Sequence, residues 1–377
     1  MKKILYLFPN AKLAGAEHLT RLLMQNHKRV DFEPQAYFIN SGPLIEQFKA
    51  QGFKTHQFSG KRPRLKNPLS IAWAVKHIVS ILKEEKIDLI HSVMSYGHVF
   101  GGLASLASRV PEVWYQHGPT GNLDWIAGRI NTRALFVNSK WIEKEERSFH
   151  PRTEKLAVIY PGIEELTPSK WADEAKTIRE SFGFRPENKV FGLAARISPM
   201  KGQLLFLRAA AALIRDYPDT RFLLVGSTYM AADQVYEDEL RREIQYLGLE
   251  NHVRWTGFLS PVYPALSACD VVVNASINPE PFGLTVIEGM MLGKAVIAPR
   301  EGGPAESITS EKNGLLFEPR NSSSLHSAMR KLAQSESLCE SLGWEARTVA
   351  LARFTIGRMV GVIENEYRKV LELPVTS

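Results

Sequence analysis

The chain has 377 residues, 44% hydrophobic and 23% charged; this fits a globular protein too long for one ordinary core and excludes a disordered chain. Its net charge of +7 is lopsided: residues 1–165 hold 23 Lys and Arg against 15 Asp and Glu, the remainder 24 against 25. No apolar run approaches the ~18 residues of a membrane span, MKKILYLFP is too short for a signal peptide's apolar region, and Cys269 and Cys339 read as reduced core thiols, so the expected setting is cytoplasmic.

In chain order, KKILYLF (2–8) reads as a strand and Glu17 to about Lys28 as an amphipathic helix. PQAYFI, KIDLIHSV, EVWYQH, ALFVN and KLAVIY follow as strands, with helical patterns at Leu69–Glu85 and His98–Ser108. The rhythm breaks near Pro161-Gly162. A second series then runs through KVFGLAAR (189–196), helix 203–215, RFLLVGS, helix 237–247, HVRWTGF, a short helix near 262–268, DVVVNAS, KAVIAP and NGLLFEP. Strands alternating with helices predict parallel sheets covered on both faces, hence two doubly wound α/β domains in tandem, at 1–165 and 166–355. Residues 356–377 follow. There Ile356, Met359, Val360, Ile363, Tyr367 and Val370 are spaced at three and four and need a surface to cover.

Such sheets bind ligands beyond the carboxyl ends of their strands. Yet no G-x-G-x-x-G follows a strand, no G-x-x-x-x-G-K-[ST] is present, and no D-x-D is available to hold a divalent metal on a diphosphate. Two other segments carry chemistry. In AARISPMKG (194–202), Arg196 and Lys201 stand at the carboxyl edge of a strand; they suit phosphate oxygens, though such a pair is also an ordinary solvated one. In PEPFGLTVIEGMMLGKAV (279–296), Pro279 and Pro281 hold a loop extended, a helix starts near Leu284, and Gly293 ends it. The amides of Gly283, Leu284 and Thr285 form an anion site at the helix start, with Glu280 before it and Glu288 just over one turn inside. A diphosphate at the amides with a hydroxyl-rich sugar at either end suits this spacing; a helix start with stabilising acids is the plainer alternative.

The stretch E280-PFGLTVI-E288 resembles the E-x7-E signature of the retaining, nucleotide-sugar-dependent glycosyltransferases of family 4 (group 1), which have the two-domain GT-B fold. ARISPMKGQLLFLRA, YPALSACDVVVNAS, GKAVIAPREGGPAE and NGLLFEP resemble neighbouring segments of that family, as do VWYQHG, FVNSKW and YPGIE in the first half. The resemblance implies two Rossmann-like domains facing across a cleft, with the helix at 356–377 packing back on the first. It implies that Glu288 binds the donor ribose and Glu280 the transferred sugar, and that the amides at Phe282, Gly283, Leu284 and Thr285 hold sugar and phosphate. It further implies that Arg196 and Lys201 clamp the diphosphate and that His117 acts at the sugar. The family's Gly-Gly-x-Glu loop reads Ala14-Gly15-Ala16-Glu17 here, which leaves Gly15 for a backbone contact.

The expected function is a retaining, metal-independent glycosyltransferase. It would take a UDP- or GDP-sugar as substrate, need no cofactor, and transfer to an acceptor hydroxyl in cell-surface polysaccharide or glycolipid synthesis. The alternatives are a sugar-nucleotide 2-epimerase of similar fold and a non-catalytic nucleotide-sugar-binding protein. Lys61, Arg62, Arg64 and Lys66, in SGKRPRLKN (59–67), form either a solvated loop or a peripheral contact with an anionic membrane at its inner face. Aromatic residues in strand and helix patterns, rather than on a stacking platform, exclude nucleic acid as a partner.

Overall fold

The computed structural model describes residues 1–12, 14–228 and 231–374. Met1–Ile163, together with the chain from Ile356 onward, forms one compact unit; Glu164–Thr355 forms a second.

Among the described residues the first unit holds strands β1 (Lys2–Phe8), β2 (Phe32–Phe38), β3 (Lys54–Gln57), β4 (Leu89–Val93), β5 (Glu112–Gln116), β6 (Ala134–Val137) and β7 (Leu156–Val158). Between them lie α1 (Gly15–Asn26), α2 (Leu44–Ala50), α3 (Pro68–Glu85), α4 (Met94–Ser108), α5 (Asn122–Ala127) and α6 (Lys140–Ser148). The strands form one parallel sheet in the order β3-β2-β1-β4-β5-β6-β7. Its central strands β4, β5 and β6 are buried at every position, on both faces, as a helix-covered parallel sheet requires. The helix ends follow local chemistry. At α3, Asn67 accepts from the Ser70 amide and Pro68 takes a position that needs no N–H.

The second unit comprises α7 (Ala172–Ser181), β8 (Val190–Ala194), α8 (Gln203–Leu213), β9 (Arg221–Val225), α9 (Ala231–Tyr246), β10 (Val253–Trp255), α10 (Tyr263–Ser267) and β11 (Val271–Val273). It continues with α11 (Leu284–Met291), β12 (Ala295–Pro299), α12 (Pro304–Ser307), β13 (Leu315–Phe317), α13 (Ser322–Gln334) and α14 (Glu336–Arg353). Its parallel sheet has the order β10-β9-β8-β11-β12-β13.

The final helix, α15 (Ile356–Val370), belongs to the first unit. Ile356, Met359, Val360, Ile363 and Tyr367 are buried in one core with residues of β1, β2, β4 and β5.

Both sheets reverse their winding at one place, between β1 and β4 in the first unit and between β8 and β11 in the second. A crevice opens at such a point beyond the strand ends. The fold is the doubly wound pair that the alternating pattern predicts. The edge strand β3 lies outside the predicted strands, because its four residues KTHQ are exposed or half-buried and carry no apolar period. The helix α4 starts at Met94 rather than His98, and α9 at Ala231 rather than 237. No described helix is long and apolar enough to cross a membrane.

Candidate functional site

In the second unit the loops after β8 and β11 meet at the reversal point. Gly202 ends the first of them at φ 69°, and a Cβ there would lie 1.8 Å from the Ala275 carbonyl oxygen. Only glycine therefore lets the β8–α8 loop lie against the loop after β11. This approach brings Lys201 to Glu280: Nζ donates to a carboxylate oxygen at 2.7 Å. The Ser276 hydroxyl donates to the same oxygen. Burial alone would raise the Glu280 pKa, but the charge and hydrogen bond of Lys201, with hydrogen bonds from Ser276 and Asn274, leave it below the usual carboxylate value. Ser276 and Asn274 were not singled out from the sequence. Their signal is the polar N-A-S that closes the apolar run VVV.

The loop then turns into α11. Gly283, the cap, sits at φ 87°, and a Cβ there would meet Pro304 at 2.7 Å. The first bond of the turn runs from the Val286 N–H to the Gly283 carbonyl, 3.0 Å. The amides of Gly283, Leu284 and Thr285 thus precede the helical ladder, in the position that favours an anion. Phe282 is buried, its ring edge-on to Phe354 with centroids 5.7 Å apart, so only its backbone is placed to meet a ligand.

Glu288 is half-buried on α11, and its carboxylate makes no hydrogen bond or ion pair among the described residues. Burial pushes its pKa up to about 7. No bond joins Glu288 to Glu280. Arg196, after β8, is half-buried and likewise makes no ion pair among the described residues, while its carbonyl accepts from Gln203 Nε2 at 2.9 Å. The structure thus brings Lys201 and Glu280 together on one flank of a helix start and leaves Arg196 and Glu288 with unused polar capacity. Among the described residues no three or more His, Cys, Asp or Glu cluster as metal ligands do.

In the first unit His117 follows β5 and is buried, its ring centroid 3.9 Å from that of Tyr115. Neither ring nitrogen has a protein partner among the described residues. Burial lowers its pKa to about 3, so the imidazole is neutral. Asn138 Nδ2 donates to the His117 carbonyl at 2.7 Å and fixes the strand end. Gly15 is the exposed first residue of α1, and Ala14 before it has φ −136°, an extended conformation that alanine adopts without strain. A concavity of about 490 Å³ lies at this sheet edge, lined among others by Asn10, Ala14, Arg62, Ser95, Gln116 and Asn122. Lys61, Arg62, Arg64 and Lys66 are all exposed.

The two parallel-sheet, Rossmann-like α/β units have the fold of GT-B glycosyltransferase structures. Residues 174–349 match the family model Glycosyl transferases group 1, and residues 14–165 match Glycosyltransferase Family 4. The two matches lie side by side along the chain, the Family 4 segment preceding the group 1 segment. The chain is 29% identical over 378 residues to the putative glycosyltransferase EpsD of Bacillus subtilis, covering 91% of this chain and 96% of the relative. It is 31% identical over 218 residues to a D-inositol 3-phosphate glycosyltransferase of Corynebacterium urealyticum, covering 55% of this chain and 50% of that one. Among solved structures, Anabaena Alr3699/HepE in complex with UDP-glucose superimposes with TM-score 0.85 and 26% identity, over 98% of this chain and 100% of that one. A sucrose-phosphate synthase from Thermosynechococcus elongatus shares the fold, with TM-score 0.82 at 18% identity.

Proposed function

We propose that the protein is a retaining, metal-independent glycosyltransferase that moves a hexose from a nucleoside-diphosphate sugar to an acceptor hydroxyl, in the synthesis of a surface polysaccharide or glycolipid. The bond from the anomeric carbon to the diphosphate breaks and a bond to the acceptor oxygen forms on the same face. The acceptor's proton leaves on the diphosphate. Arg196, Lys201 and the amides of Gly283 to Thr285 offset the leaving charge, as fixed charges and dipoles can do without a metal. Glu288 takes the ribose, Glu280 orients the transferred sugar, and the neutral His117 serves that sugar.

The observation that carries this reading is Glu288. A desolvated carboxylate with no protein partner, one turn inside a helix start, is completed by two vicinal hydroxyls such as a ribose supplies. Support for a uridine donor comes from the HepE complexes with UDP and UDP-glucose. The test is thermal-shift screening against UDP-, GDP- and ADP-sugars, followed by proton NMR of the product anomer in EDTA. Inversion of the anomer, or loss of activity that Mn²⁺ restores, would overturn the retaining or the metal-free part. Interconversion of the sugar nucleotide without transfer would mark an epimerase, and donor binding without turnover a binding protein.

A further inference from the structure

Arg62 is exposed, yet it is held in place. Its guanidinium lies 5.2 Å from the centre of the Tyr96 ring. The Tyr96 hydroxyl donates to the carbonyl of Pro63, the next residue, at 2.5 Å. One ring therefore carries the cation and ties down the backbone beside it. Arg62 makes no ion pair among the described residues, and neither do Lys61, Arg64 and Lys66. The ring leaves the planar fork of the guanidinium oriented and free to meet an oxyanion.

Arg62 also joins two concavities of the first unit. The inner one, of about 490 Å³, lies at the carboxyl ends of β1, β4 and β5, where Asn10 and Asn122 offer hydrogen bonds suited to hydroxyls and Glu17 and Asp124 also form part of the wall. The outer one, of about 1010 Å³, is lined by Lys61, Arg62, Arg64, Asn67 and Trp73 among others, and no acid lines it. Trp73, 54% exposed, rests against Gly60, where a Cβ would come within 2.4 Å of the indole, and meets Phe58 edge-on at 4.9 Å between centroids. The remaining exposed part of the indole is available to a sugar ring or an apolar chain.

We propose that the acceptor carries a phosphate or diphosphate ester, that this group binds at the junction between the two concavities, and that Arg62 recognises it. A carboxylate would need one cation; the loop supplies four within six residues, which matches the two to three charges of a phosphate or diphosphate. The inference rests on the transferase reading, in that the hydroxyl end of the acceptor enters the inner concavity.

The test uses the full chain with saturating UDP, which occupies the donor's phosphate site. Inorganic pyrophosphate is titrated, and quenching is read as the difference between the protein and its Trp73→Phe variant. The expected result is saturable quenching, weakened at least about tenfold in Arg62→Ala and only partly restored by Arg62→Lys, which keeps the charge and loses the fork. Farnesyl diphosphate and glucose 1-phosphate, run in parallel, distinguish an ester on an isoprenoid from one on a sugar. Unchanged pyrophosphate binding in Arg62→Ala overturns the proposal. So does quenching by phosphatidylglycerol-containing vesicles that pyrophosphate does not compete with, which makes the loop a membrane contact instead. The thermal shift caused by UDP is read on the same samples. Absence of a shift with UDP, GDP and ADP alike sinks the transferase reading on which the site rests, whereas an intact shift with an indifferent Arg62→Ala sinks the phosphate site alone.

Discussion

Lys201 Nζ lies 2.7 Å from Glu280, a residue 79 positions later, so the cation assigned to the diphosphate and the carboxylate assigned to the sugar hold each other when no donor is bound. Lys201 holds Glu280 ionised in a partly desolvated place, against the pull of burial. An arriving diphosphate competes with Glu280 for Lys201, and the carboxylate released is then free for the sugar.

Glu280→Gln should separate the two roles. The amide keeps the shape and leaves Lys201 without its counter-charge, so UDP should bind more tightly than to the parent. Turnover should nonetheless fall by about ten- to 150-fold, the worth of one charge-assisted hydrogen bond gained as the ring acquires positive charge. Calorimetry with UDP and steady-state kinetics measure both. Weaker UDP binding would mean that the pair does not compete with the ligand.

Donor affinity should depend on pH through Glu288. Its pKa in the free protein is about 7, raised by burial. Ribose hydroxyls donate to the ionised form and so favour it; binding then expels a proton, and affinity falls as pH drops through 7. Affinity for a UDP-sugar, which does not itself titrate here, should be about tenfold lower at pH 6 than at pH 8. Glu288→Gln should flatten the profile and raise the donor KM. A slope that survives in the variant would place the titrating group elsewhere.

The pattern of the sequence determined most of this. Apolar runs without alternation, such as LLV in β9 and VVV in β11, could only be strands buried on both faces, and their alternation with helices left few topologies. The extended loop 279–283 and the helix start at Leu284 follow from two prolines and a glycine. What escaped depended on tertiary contact. β3 is a strand only because it pairs with β2. The Lys201–Glu280 pair arises from the fit of Gly202 against Ala275, which no local signal encodes. The platform under Arg62 pairs a loop with a helix 34 positions further on.

Stability should fall in acid because histidines are buried uncharged. Burial lowers the His91 pKa well below its usual value, helped by His117 and His27. Burial also lowers that of His27, against the pull of Glu364. At these histidines the unfolded chain binds more protons than the folded one once pH drops below about 6.5, and their contribution to stability is lost progressively from there downward. Glu280, Glu364 and Glu366, whose folded values are depressed, add losses near and below the ordinary carboxylate range. Glu146 and Glu288, raised by burial to about 9 and about 7, bind protons on folding and offset this loss above pH 6, so urea midpoints should decline from pH 6 to pH 5; a rise over that interval would contradict the neutral histidine assignments.

The last prediction concerns α15, which is tied to the first unit by one chain of buried hydrogen bonds. Glu364 accepts from His27 Nδ1 at 2.9 Å. His27 Nε2 bonds the Tyr6 hydroxyl, which lies 2.9 Å from that of Tyr367, and Tyr367 lies 2.5 Å from His91 Nδ1. With Glu364 ionised and His27 neutral, the direction of every proton follows. Nδ1 of His27 donates to Glu364, so its Nε2 accepts from Tyr6. Tyr6 must then accept from Tyr367, and Tyr367 from His91 Nδ1. Tyr367→Phe keeps the ring and strands the Nδ1–H of His91 and the oxygen of Tyr6, at a cost of about 1–3 kcal/mol for each buried group left unpaired. Glu364→Gln can reverse the chain by offering a donor, so it should cost less than Tyr367→Phe. Deleting the chain from Ile356 removes the whole device and also uncovers the apolar face of β1, β2, β4 and β5; the first unit should then unfold or aggregate, while the second still shows a thermal shift with UDP. Urea unfolding of the two point variants and calorimetric scans of the truncation with UDP read these outcomes. Equal costs for Tyr367→Phe and Glu364→Gln would refute the assigned proton order, and a truncation whose first unit melts as in the parent would refute the anchoring role of α15.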